Sequence, residues 1–163
     1  MRHSIQSIID LTQISDQDRE VLKNAAHQTE QWADEYVKMF YDILFDYPHT
    51  KELFRAGERP EREKTLRDWY LQVARGEFDE EFWLAQWQVG QRHVGREILN
   101  SYVFGMMNRT QQFFLDKCLA TFEKEEGLKI FSAFKRATDV AAGIIANGYL
   151  MSWRIGPPTR RSE

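Results

Sequence analysis

Apolar residues recur three and four apart along almost the whole of this 163-residue chain, and turn signals are too sparse for a sheet protein. That periodicity restricts the chain to an all-α class and divides it into segments. A short leading helix is expected over residues 5–11. Ser15 with Asp18 three positions on is an N-cap pattern, opening a helix to about residue 30 with Val21, Leu22 and Ala25 inward. Trp32, Tyr36, Phe40 and Leu44 mark a second helix, with Val37, Tyr41 and Phe45 on the neighbouring stripe. Pro48 stops it, because proline cannot donate to the helical ladder and disfavours the α region in Tyr47. A helical turn over 51–54 and a polar link at 57–59 follow.

Pro60 occupies a first-turn position of a helix to about residue 75, closed by Gly76. Asp79-Glu80-Glu81 puts acid at the positive end of the next helix, which Gly95 ends or bends. Two long helices, about 98–122 and 126–153, finish a single domain spanning residues 1–155. Gly156-Pro157-Pro158 breaks the last one, so residues 156–163 read as a disordered tail or the start of a linker.

Within this frame the stretch Gln86 to Gly95 stands out. Phe82, Gln86, Val89, Gly90 and His93 fall along one helical stripe, so a lone imidazole emerges from a largely apolar face. Gly90, one turn earlier, leaves room for something flat. A haem iron bound through a neutral imidazole needs such an arrangement, while a boundary histidine with a hydrogen bond is the plainer alternative. The aromatic share of 13% suits either a planar guest or an ordinary aromatic core. Cys118 stands alone and no Cys-x-x-Cys-His run exists, so any haem is b-type. A net charge of −3 gives no footprint for nucleic acid or anionic membrane. No apolar run approaches twenty residues and no signal-peptide pattern opens the chain, so a cytoplasmic protein is expected.

Several spacings then act together: Phe40-Tyr41, Pro48 seven residues after Tyr41, Phe54 six further, Thr65-Leu66, and Asp79-Glu80-Glu81-Phe82 followed after eleven residues by His93. In these the chain resembles the globins, and more closely the sensor globins, over residues 14–153. The resemblance implies a globin fold lacking a separate D helix, with long C-terminal G and H helices. It implies haem b with His93 as the metal ligand, and Tyr41, Phe54, Leu66, Val89 and Gly90 around the cofactor. Tyr41 and Thr65 would face a diatomic gas (O2, CO or NO). Where sensor globins often carry Pro-x-Trp-Tyr, this chain has Asn100-Ser101-Tyr102-Val103. Protoglobins, a related group, have longer amino-terminal extensions and often Trp where Phe40 stands. The sensor branch is therefore preferred, with protoglobin next.

Each polar candidate has a second reading. Tyr41 either donates to a bound gas or to a backbone carbonyl. Thr65 is a second distal hydroxyl or bonds back to the carbonyl of Glu61. Arg55, Lys64 and Arg92 are candidates for the haem propionates. The last two helices carry apolar residues on more than one side, which suggests a homodimer through them, with Phe114 the first choice of outward-facing position. Three functions compete: a gas sensor, either a complete single-domain protein or a sensor domain followed by a transmitter; a haem enzyme with NO, O2 or peroxide chemistry; and a haem-free interaction domain. The enzyme is disfavoured because no reductase domain or distal acid–base pair is evident.

Overall fold

The computed structural model describes residues 1–154, and the expected tail at 156–163 lies outside them. The described residues form α1 (Arg2–Thr12), α2 (Asp16–Thr29), a 3₁₀ turn (Glu30–Trp32), α3 (Ala33–Asp46), α4 (Pro48–Lys51), α5 (Arg59–Ala74), α6 (Glu80–Gly95), α7 (Asn100–Thr121) and α8 (Lys124–Arg154). There is no strand among them, so the class is all-α, and no helix intervenes between α4 and α5. None of the helices is long and apolar enough to cross a membrane.

The helix ends follow local chemistry. At the start of α2 the Asp18 carboxylate accepts the Ser15 N–H at 3.0 Å. The same carboxylate takes two hydrogen bonds from Arg136 of α8, at 2.6 and 3.1 Å, so a capping residue also ties the first long helix to the last. Tyr47 is extended (φ −94°, ψ 121°), as the residue before a proline should be, and α3 ends there. Pro48 also opens α4 at once, three residues earlier than the turn expected at 51–54, because its fixed φ is already helical. Asp79 caps α6 by accepting the Phe82 N–H at 2.9 Å.

At its other end α6 runs through Gly95 and closes at Glu97, whose φ of 59° is left-handed. The Glu97 N–H bonds to the Val94 carbonyl and the Ile98 N–H to the His93 carbonyl, both at 3.0 Å. Those two bonds make a Schellman closure built on a non-glycine residue.

Helix α8 is the spine, packing against α1, α2, α5, α6 and α7. At its centre Phe134 stacks on Phe114 of α7, with ring centroids 3.7 Å apart and planes within 5°. Phe114 is thus fully buried, which overturns its assignment as an outward position. The stripe Met106, Thr110, Phe114, Cys118 faces inward, and the exposed apolar residues of α7 are instead Phe104 and Leu119. On α8 the exposed ones include Leu128 and Leu150.

Helices α6 and α8 meet glycine to glycine. A Cβ on Gly90 would lie 2.2 Å from the Ile145 carbonyl oxygen, and one on Gly148 would lie 2.3 Å from that of Trp87. The two backbones are in direct contact.

Candidate functional site

A cavity of about 540 Å³ opens between α3, α5, α6 and α7, floored in part by Ile145 of α8. This is within the ~300–1,000 Å³ range of small-molecule sites. Its walls are mostly apolar: Phe40, Leu44, Leu53, Phe54, Leu66, Trp69, Val89, Ile98, Val103, Met106 and Met107. Of the residues singled out from sequence, Tyr41, Phe54, Thr65, Leu66, Val89 and His93 come together around it. Gly90 does not line it. The space above that glycine is filled by the backbone of α8, so its missing side chain serves a helix crossing rather than a flat guest.

His93 Nδ1 lies 2.7 Å from the Val89 carbonyl one turn earlier on α6. A carbonyl only accepts, so Nδ1 carries the proton and Nε2 keeps its lone pair on a cavity-lining side chain. Burial pulls the imidazole pKa below its ordinary value, outweighing the Val89 hydrogen bond, and the charges of Arg96 and Arg92 act in the same direction as burial. A neutral, oriented imidazole with one free nitrogen is what a metal ligand requires.

Four of the hydroxyls that line the cavity have their protons committed to partners. Tyr41 donates to the Arg62 carbonyl at 3.1 Å, the backbone alternative weighed above, with its ring edge-on to Phe54. Burial pushes its phenol pKa up to about 12, so the proton stays on the oxygen at neutral pH. Thr65 donates to the Glu61 carbonyl at 3.1 Å and is exposed at the rim. Deeper in, Tyr36 and Thr110 lie 2.7 Å apart, and Thr110 also reaches the Met106 carbonyl at 2.9 Å. Thr110 has one proton and gives it to that carbonyl, so Tyr36 is the donor in the pair. Trp69 closes the back wall, its indole N–H donating to Gln86 Oε1 at 3.0 Å.

Cations gather at the same cavity. Arg62, Arg92 and Arg96 line it, whereas Arg55 and Lys64 do not. Arg96 pairs with Glu58, holding that carboxyl below the usual range, and donates to the Leu53 carbonyl at 2.9 Å. Arg62 pairs through Nη2 with Glu61 at 3.0 Å and keeps a buried Nε with no hydrogen-bond partner among the described residues. Sequence reasoning passed over Arg62 and Arg96, although they sit one turn from Leu66 and His93 on the same helix faces.

No curated protein matches this sequence. The sequence profile of the protoglobin family, however, matches residues 2–152. The chain belongs to that family. The match begins at α1, twelve residues before the resemblance noted in the sequence, so the leading helix is part of the matched unit. Among solved structures, this protoglobin is similar to the globin domain of a Geobacter sulfurreducens globin-coupled sensor, with TM-score 0.81 and 25% identity over 88% of this chain and 96% of that one. It is also similar to the globin domain of E. coli DosC in its ferric form, with TM-score 0.75 and 15% identity over 89% of this chain and 99% of that one. The second likeness is one of fold.

Globin membership implies a haem cofactor, and the residues present fit one. The apolar cavity offers His93 Nε2 as a ligand, Phe54, Leu66 and Val89 as packing surface, and an orphaned guanidinium nitrogen on Arg62 as a donor toward a carboxylate.

Proposed function

We propose that this protoglobin binds haem b through His93, takes up a diatomic gas (O2, CO or NO) beside Tyr41, and acts as a gas sensor whose two copies pair through α7 and α8. The observation that carries the reading is the tautomer of His93: with Nδ1–H held by Val89, the free nitrogen belongs to the wall of a large apolar cavity. When bound, haem supplies an iron with a coordination position open to a small gas. Cys118 is buried, and without a Cys-x-x-Cys-His run the haem is held non-covalently.

The chain's own residues do the rest. Val89 orients the imidazole, and burial keeps it neutral. Phe54, Leu66 and Val89 exclude water, which strengthens any hydrogen bond made inside. Tyr41 is the donor for a polar gas ligand. Its present acceptor, the Arg62 carbonyl, lies in α5, where the Leu66 N–H is its helical partner. Turning the Tyr41 proton away therefore leaves that carbonyl satisfied and costs one neutral hydrogen bond, about 1 kcal/mol. Arg62 and Arg92 supply positive charge for the cofactor's carboxylates. The exposed Phe104, Leu119, Leu128 and Leu150 give the last two helices apolar surface for a second copy.

Tyr41→Phe tests the gas-binding reading. Loss of a hydrogen bond of ~1–2 kcal/mol should speed O2 dissociation roughly five- to thirty-fold and leave CO dissociation nearly unchanged. Equal effects on both gases assign Tyr41 a steric role, and no effect on either removes it from the gas site.

A further inference from the structure

The last helix meets α6 beside His93 through a contact with two parts. Where α6 crosses α8, Gly90 and Gly148 bring the backbones together, with Ile145 O and Trp87 O occupying the positions that Cβ atoms would need. No side chain lies between the helices there to absorb a displacement. The next residue of α8, Tyr149, lays its ring beside His93, with centroids 6.1 Å apart and planes within 21°. Near-parallel, offset packing at that separation is within the range of favourable aromatic pairs. Tyr149 is 5% exposed, lies outside the cavity lining, and keeps a buried hydroxyl with no hydrogen-bond partner among the described residues.

The Nδ1–H···O=C bond to Val89 selects the tautomer of His93 but leaves the ring free to rock about the N···O line. A flat group against one face removes that freedom. We infer that Tyr149 is a positioning residue for the His93 imidazole: its ring sets the imidazole plane, and the Gly90–Gly148 crossing carries α8 along with any movement of that ring. The inference rests on the reading of His93 as iron ligand. It also routes a signal from the cavity directly into the 31-residue α8, beside the chain connection from α6 into α7. The hydroxyl meets no hydrogen-bond partner among the described residues, so the phenylalanine ring should serve equally well.

The test uses Tyr149→Phe, Tyr149→Leu and Tyr149→Met, the last because a flexible thioether fills an aromatic's space when leucine does not fold. In the apoprotein, the His93 ring resonances should be sharp and alike in wild type and Tyr149→Phe, and broadened or displaced in the Leu and Met variants, whose imidazole is free to rock about the Val89 hydrogen bond. In the reduced haem protein, the iron–histidine stretching band in resonance Raman should be unchanged in Tyr149→Phe and shifted and broadened in the other two. Haem uptake should persist in all of them. Wild-type His93 signals in both Leu and Met variants would overturn the positioning role. An iron–histidine band missing from every protein, wild type included, would instead overturn the ligand assignment, and the apoprotein ring resonances would still report on Tyr149.

Discussion

Gly90→Ala places a methyl group 2.2 Å from the Ile145 carbonyl oxygen and 3.0 Å from Gly148 Cα. Roughly 1 Å of additional separation is needed before the first contact reaches a normal van der Waals distance. Both obstructing atoms are backbone, so no side-chain rotation relieves them, and α6 must move off α8. Overpacking of this kind costs about 1–3 kcal/mol, and alanine in place of a helix-interior glycine returns up to about 1 kcal/mol. The expected net loss is up to about 2 kcal/mol, lowering Tm by as much as roughly 8 °C in a domain of this size. Gly105→Ala on α7 is the control. A Cβ there meets nothing within 4 Å, so the propensity gain stands alone and Tm should rise by roughly 2–4 °C. Thermal melts of the two apoproteins make the comparison. Equal stabilisation of both variants would refute the glycine-on-glycine crossing.

Two further outcomes can be checked on the same preparations. Leu119→Glu, at a position 46% exposed, should leave the fold intact and shift sedimentation from dimer toward monomer; an unchanged dimer would move the interface off that face. Burial raises the Tyr41 pKa to about 12, so its contribution to stability is fully present below the unfolded phenol's ~10 and is lost as pH rises toward 12. Urea midpoints measured from pH 9 to 12 should therefore fall with a shallower slope in Tyr41→Phe than in wild type, and identical slopes would place Tyr41 in water.

The parts of this fold that read cleanly from sequence are those decided within a few residues. Ser15 with Asp18, Pro60 in a first turn and Asp79 at a cap each act on their own backbone, and the helices start where those residues put them. Six of the candidate site residues converge on one cavity because helical spacing already put them on shared faces. The readings that failed depend on a distant partner. Gly90 shows only that space exists beside α6, and whether a guest or a helix takes that space is decided by Gly148, 58 residues on. Apolar residues on several sides of α7 do not say which side meets α8, so Phe114 was placed outside when Phe104 and Leu119 are the exposed ones. Gly95 does end α6, while the left-handed closure falls on Glu97, which leaves no such mark in sequence. Arg62 and Arg96, passed over in sequence, meet Arg92 only around the folded cavity.

The central claim is that His93 Nε2 binds a haem iron, and titration of the apoprotein with haemin, followed in the Soret region, tests it most directly. The account predicts a single tight site of one haem per chain in wild type. In His93→Ala it predicts weak uptake with a different spectrum, restored toward wild type by added imidazole. An identical spectrum and affinity in wild type and His93→Ala would contradict it.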